Sequence, residues 1–274
     1  MMGSMRAVGL AGSKVGFHNL DDAADQARQA ESLGYSSLWI PGGRANLLPM
    51  LAAAVRSTES IQVAPGVISV DRVKPDDVVA TFGELHQDYP DRILVGLGGA
   101  HGQRPLGTLN GYLDHLDSGG VPAQSRILAA LGPKMLALAR DRAAGAYPFL
   151  VTPSYVESAR ATLGPHRQLI VLLMVIPITD RSAARRAAAA ALSFFITSPA
   201  YCNSLRRQGF TESEIVSIAP RLVDSVTASG DVDAIAARVA DYHAAGADQV
   251  VLRITGVDDD EALWRQRLAP AAVT

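Results

Sequence analysis

The residues best placed to do chemistry lie in the turn Gly98-Gly99-Ala100-His101-Gly102. Two consecutive glycines let a flat ligand approach the main chain closely, because no Cβ intervenes. His101 follows with a side chain that titrates near neutrality, the property required of a proton donor or acceptor at physiological pH. A tight turn carrying a surface histidine is the other reading of the same residues. A second candidate is Ala130-Leu131-Gly132-Pro133-Lys134-Met135, where a strand gives way to a helix. Unpaired N–H groups and the positive end of the helix favour an anion such as phosphate there, with Lys134 close by. An ordinary strand-to-helix turn accounts for the spacing equally well.

These turns need elements to hold them. Residues 61–70 are uncharged and rich in β-branched types, as a strand buried on both faces requires. Residues 76–87 follow Pro75 and set Val78, Val79, Phe82 and Leu85 at helical spacing, and the short apolar run 92–97 empties into the glycine turn. Two parallel strands joined by a crossover helix satisfy this pattern, and ligands of such folds bind at the carboxyl ends of the strands.

The pattern recurs along the chain. Further strands are expected at 6–10, 36–40 (ended by Pro41-Gly42-Gly43), 126–131, 147–151, 169–176 and 249–254. Helices are expected between them, one capped by Asp21, one starting at Lys134, one capped by Asp180 and one started by Asp231 or Asp233. Residues 103–120 exceed an ordinary connection and are expected to form a lid or a tolerated insertion. Eight strands alternating with helices predict a (β/α)8 TIM barrel, a single domain over 1–274 with a helical insertion at about 179–229 between strands 7 and 8.

Composition narrows the function. With 25 basic and 27 acidic residues the net charge is −2, and no basic run occurs, so nucleic acid and anionic membrane are poor partners. The single cysteine, Cys202, excludes an intramolecular disulfide and suits a cytoplasmic protein; it is expected to be a packed small side chain. The longest apolar run, 169–178, is too short to span a bilayer. His18, His86, His115, His166 and His243 form no paired ligand motif, so no metal is expected. A Rossmann nicotinamide site is disfavoured too, since 96–102 lacks a third glycine at the right spacing and no helix is expected directly after it.

Five segments, taken in order, carry a family resemblance: Leu33-Gly34-Tyr35-Ser36-Ser37-Leu38-Trp39, Ala64-Pro65-Gly66-Val67, residues 91–98, residues 128–136 and residues 147–153. By them the chain resembles the luciferase-like monooxygenase superfamily, and within it the actinobacterial oxidoreductases that use the deazaflavin coenzyme F420. The resemblance implies a flavin-type ring against the third strand at Gly66, Val67 and Ile68, between Pro41 and Gly42 on one side and Gly98, Gly99 and Ala100 on the other. It implies the cofactor phosphate at Ala130, Leu131, Gly132, Pro133, Lys134 and Met135, and His101 as the catalytic proton donor or substrate anchor. It further implies a homodimer and a non-proline cis peptide at Gly66–Val67, for which a cis Ala64–Pro65 bond is the rival. Pro41-Gly42-Gly43-Arg44 lacks the acid or histidine of several relatives, and Lys74-Pro75 replaces their common His-Pro. Three functions follow: an F420-dependent oxidoreductase acting on a small organic substrate, an FMN-dependent monooxygenase, or a non-catalytic barrel that serves as a binding or partner subunit.

Overall fold

A computed structural model describes residues 7–12, 18–42, 47–257 and 260–273. The strands are β1 (Ala7–Ala11), β2 (Ser37–Pro41), β3 (Gln62–Gly66), β4 (Ile68–Ser69), β5 (Val95–Gly98), β6 (Arg126–Leu128), β7 (Gly145–Ala146), β8 (Gln168–Ile176), β9 (Thr227–Ser229) and β10 (Gln249–Ile254). Between them run α1 (Leu20–Ser32), α2 (Leu47–Arg56), α3 (Pro75–Asp88), α4 (Pro105–Ser118), α5 (Pro133–Arg142) and α6 (Pro153–Leu163). The rest are α7 (Arg181–Leu192), α8 (Pro199–Arg207), α9 (Glu212–Val216), α10 (Pro220–Val226), α11 (Val232–Ala244), α12 (Glu261–Arg267) and α13 (Pro270–Val273). Proline opens seven of these helices, where its missing N–H has no intrahelical partner to lose.

The strands form a parallel barrel of eight staves, as the alternation predicts. β3 and β4 are two halves of the third stave, separated by Val67. Around the barrel β1 pairs with β2 and β10, β2 with β3, β10 with β8, β8 with β7, β7 with β6, β6 with β5 and β5 with β4. The remaining seam is closed below the break, where Val63 N–H donates to the Arg92 carbonyl at 2.8 Å and Leu94 N–H to that of Val63 at 3.1 Å. The short β9 lies outside the circuit, paired with the upper half of β8 through Met174↔Thr227.

Alternation along the staves builds two cores. On β8, Leu169, Val171, Leu173 and Val175 belong to the outer-layer cluster that also takes in Val156 and Leu163 of α6. Ile170, Leu172, Met174 and Ile176 join Trp39, Ala64, Leu94, Ile127, Tyr147 and Val251 in the barrel interior. The period of two makes this sorting a direct result of the pleat. The inner cluster continues into Leu205, Phe210 and Leu222, so the helical insertion packs on one side of the open end.

Four expectations need correction. Residues 105–118 form α4, a regular outer helix that buries Leu109, Tyr112, Leu113 and Leu116, so 103–120 is neither lid nor insertion, and a helix does begin shortly after the glycine turn. The sixth stave pairs at Gly145–Ala146 and again at Phe149↔Leu172, not throughout 147–151. Pro148 has no N–H to give, and Leu150 turns left-handed at φ 57°, which breaks the ladder. The fifth stave's ladder stops at Leu128 rather than 131. The cap of α1 is Asn19, which accepts the Asp22 N–H at 2.9 Å; Asp21 lies within the first turn.

Candidate active site

The carboxyl ends of the staves bring the third and fourth strands' expected ligands together. Trp39 and Tyr147 stack in the barrel interior, 3.9 Å between centroids and 10° from parallel. Trp39 Nε1 donates to Ser37 Oγ at 3.0 Å, and that hydroxyl donates to Gln249 Oε1 at 3.1 Å, which fixes the rings from below. Gly66 sits on this pair: a Cβ added there would touch both rings at 3.5 Å. The Gly66–Val67 peptide is cis, as the resemblance implies, and it is the cis bond found among the described residues.

Glycines on both neighbouring staves make room for this break. Gly42 N–H donates to the Gly66 carbonyl at 3.2 Å, and a Cβ on Gly42 would fall 2.4 Å from the Val67 oxygen. On the other side a Cβ on Gly96 would fall 2.1 Å from the Pro65 oxygen. No side chain can occupy either place, so the wall here is flat backbone. Pro41, Gly42, Gly66, Val67, Gly98 and Gly99 are therefore gathered on one side of the mouth. Ile68 is different: it is buried in the outer layer, and only its backbone borders the site. Gly43 and Arg44 lie outside the described residues.

His101 stands at the rim beyond this wall, its side chain 74% exposed. Its Nδ1 lies 3.0 Å from Asp71 Oδ2, which also accepts the His101 backbone N–H at 2.9 Å. In the tautomer that donates Nδ1–H to Asp71, Nε2 is the acceptor. Asp71 escaped sequence reasoning because it is thirty residues away. The available signal was its place just past the third stave, beside the turn that ends the fourth.

The turn after the fifth stave lies next to the end of the fourth at Gly98 and two staves from Gly66. Gly132 is the N-cap of α5, Lys134 projects outward and Met135 is half-buried. Ala130 is fully buried in the outer layer, and its carbonyl accepts the Tyr155 hydroxyl at 3.2 Å, so only its backbone borders the turn. Arg207, from α8 of the insertion, reaches the same turn and donates to the Leu131 carbonyl at 3.2 Å. The Arg207 guanidinium and a helix N-terminus thus meet at this turn, with Lys134 on the first turn of the helix, which is suitable for a phosphate. Arg207 was not foreseen, since nothing in its local sequence ties it to the fifth stave.

Burial shapes the acidities in the interior. It pushes the Tyr147 hydroxyl well above its usual range, against the opposing pull of the nearby Arg253 charge. It raises Tyr201 to about 12, again opposed by Arg253. Both hydroxyls therefore stay protonated through the physiological range. Among the described residues no three histidine, cysteine or acidic side chains gather as a metal site.

A cavity of about 660 Å³ lies elsewhere, lined by Ser154, Gln208, Phe210, Arg221, Asp224 and Arg238 among others, with no stave residue in its wall. Its arginines are engaged within the protein: Arg185 with Asp224, Arg221 with Glu214 and Arg238 with the Ser225 carbonyl. Cys202 is half-buried on α8, its thiol on the Ile196 carbonyl, in the packed role expected of it.

Comparison with known proteins gives a family match over part of the chain and a likeness of fold over nearly all of it. Residues 4–118 match the family described as luciferase-like monooxygenase, a span that covers the first four staves and α1 to α4. No curated protein sequence matches the chain. Among solved structures the chain is similar to the coenzyme F420-dependent tetrahydromethanopterin reductase from Methanopyrus kandleri, with a TM-score of 0.72, 16% identity, and 97% of this chain and 98% of that one covered. It is also similar to an F420-dependent secondary alcohol dehydrogenase in complex with an F420-acetone adduct, with a TM-score of 0.70, 16% identity and coverage of 98% and 99%. A type II Baeyer-Villiger monooxygenase in complex with FMN, from a plasmid of Pseudomonas putida, gives 0.70, 15%, 97% and 96%. The resemblance to the luciferase-like monooxygenase superfamily therefore holds, with the barrel shared nearly end to end. Among the described residues no helix is long and apolar enough to cross a membrane.

Proposed function

We propose that the protein is an oxidoreductase that binds coenzyme F420 at the mouth of the barrel and exchanges a hydride between it and a small organic substrate. The observation that carries this is the backbone wall at Gly42 and Gly66, with the turn at Gly132 and Lys134 two staves from Gly66. The residues fit the group: a planar ring needs a wall without side chains, and its phosphate needs donors and positive charge. In this reading the α5 N-terminus, Lys134 and Arg207 hold the phosphate, while the Trp39–Tyr147 stack keeps the wall rigid from below. Bound deazaflavin would supply two-electron hydride chemistry. His101 would deliver or receive the accompanying proton at Nε2, with Asp71 holding its ring.

FMN-dependent oxygenation is the second reading, because the same wall and turn suit an isoalloxazine phosphate and an FMN complex is among the structures of similar fold. Fluorescence-quenching titrations of the purified protein with F420 and with FMN separate the two. Tight binding of F420 and weak binding of FMN is the expected result. The reverse order would establish the second reading, and no binding of either would leave a barrel that acts only as a binding or partner subunit. The same reading includes a homodimer, for which the exposed Phe194 and Val216 of the insertion provide apolar surface. Sedimentation showing only a species near 28.8 kDa would remove it.

A further inference from the structure

The eighth stave carries a charge that the proposed cofactor site does not use. Val250 and Leu252 of β10 belong to the outer layer and Val251 to the interior, so Arg253 shares the face of Val251 and is directed into the barrel, level with Met174 of β8. Its guanidinium carbon lies 5.3 Å from the ring centroid of Phe195 and 5.8 Å from that of Phe149. Those two rings meet edge-on at 5.0 Å, and Tyr201 completes the cluster at 5.5 Å from Phe195. Among the described residues Arg253 has no hydrogen bond and no ion pair, in contrast to Arg92, Arg142, Arg160 and Arg265.

A half-buried guanidinium whose contacts among the described residues are aromatic faces has lost part of its hydration and recovered little of it. Burial lowers its pKa from the ordinary arginine value, only partly opposed by Tyr147, Tyr201 and Glu261, and an arginine so lowered is still charged near neutrality. Its planar fork is free to form two parallel hydrogen bonds, the arrangement that suits a carboxylate. The cofactor phosphate is an unsuitable partner. Arg253 stands on the eighth stave, three from the fifth-stave turn, two from Gly42 and three from Gly66.

We propose that Arg253 anchors the carboxylate of a small substrate, whose apolar body lies against Phe149 and Phe195. The word substrate rests on the oxidoreductase reading above; the anion site does not. The probes are benzoate and its uncharged analogue benzyl alcohol, titrated by calorimetry into the full-length protein with and without F420. Wild type should bind benzoate at least tenfold more tightly than benzyl alcohol. Arg253→Gln should lower benzoate affinity at least tenfold and leave benzyl alcohol and F420 affinities unchanged, and Arg253→Lys should fall between. Circular dichroism checks the fold of each variant, and the lysine variant carries the test if the glutamine variant fails to fold. Equal binding of the two probes, benzoate affinity untouched by either substitution, or no benzoate binding to wild type would overturn the proposal. A loss of F420 affinity with benzoate unaffected would overturn it too, by assigning Arg253 to the cofactor. If neither cofactor binds but benzoate binding still depends on Arg253, the anion site stands and the oxidoreductase reading falls.

Discussion

At the amino-terminal ends of the staves, Glu31 accepts the N–H groups of Glu59, Ser60 and Ile61 at 3.0, 2.6 and 3.0 Å. Nearby Arg92 donates to the Ile61 carbonyl and the Thr58 hydroxyl, both at 2.7 Å. Arg160 ties α6 to the entry of β8 and β10 through the carbonyls of Gly164, Arg167 and Gly246 and the Asp248 carboxylate. At the carboxyl ends fewer side-chain donors are engaged among the described residues: Arg253 faces aromatic rings, Lys134 is exposed, and only Arg207 and His101 meet a protein acceptor in the two turns. Charge at one end locks loops to strands, and charge at the other waits for a partner. The two ends should therefore respond to substitution in opposite ways.

Arg160→Ala offers the largest effect. It removes the side-chain donor of three carbonyls and leaves Asp248 only the Leu169 N–H, which should cost about 2–4 kcal/mol of stability. Denaturant unfolding measures the loss, and cofactor affinity measured below the transition should stay at the wild-type value. A matching fall in affinity would mean that the two ends are not independent.

His101→Gln is the converse. With an exposed side chain, its unfolding free energy should change by no more than about 0.5 kcal/mol. Steady-state kinetics should show kcat reduced on the order of 100-fold, with the KM for the cofactor little changed. Unaltered kcat would make His101 a rim residue only.

Glu31→Gln sharpens the comparison through pH. Slight burial raises the Glu31 pKa, but the backbone N–H groups of Ser60, Ile61 and Glu59 outweigh it and hold the carboxyl at about 2, against an ordinary 4.5. A depressed pKa gives stability that is complete above pH 4.5 and declines as the pH falls toward 2. The variant should lose about 1 kcal/mol at neutral pH, discounted for solvent exposure. Its unfolding curve should then converge with that of wild type as the buffer is acidified, and a pH-independent gap would indicate a packing effect instead.

The long staves were legible because parallel strands covered on both faces read as unbroken apolar runs, and β8 and β10 do so over nearly their whole length. The helix α4 was not legible as such. Leu109, Tyr112, Leu113 and Leu116 have helical spacing, but Gly107, Gly111 and the surrounding polar residues mask it. The strand β9 is three residues long and paired only through β8, which leaves no local pattern to find. For the site, glycine turns at stave ends pointed to the wall because close backbone approach needs glycine itself. Asp71 and Arg207 are joined to the site only by tertiary contacts. Arg253 left a trace: a charge at an inward position of an otherwise apolar strand, near the end where ligands bind.

The inner face of β8 belongs to the barrel and to the helical insertion at once, since Ile170, Met174 and Ile176 share one cluster with Leu205, Phe210 and Leu222. β9 then returns from the insertion to lie along the same strand. For protein recombination this makes 168–229 a single cassette. A chimaera with a crossover just before Gln168 and another after Ser229 carries both halves of that apolar contact together. A junction at 179, where the loops invite one, would leave an unmatched hydrophobic surface on each parent.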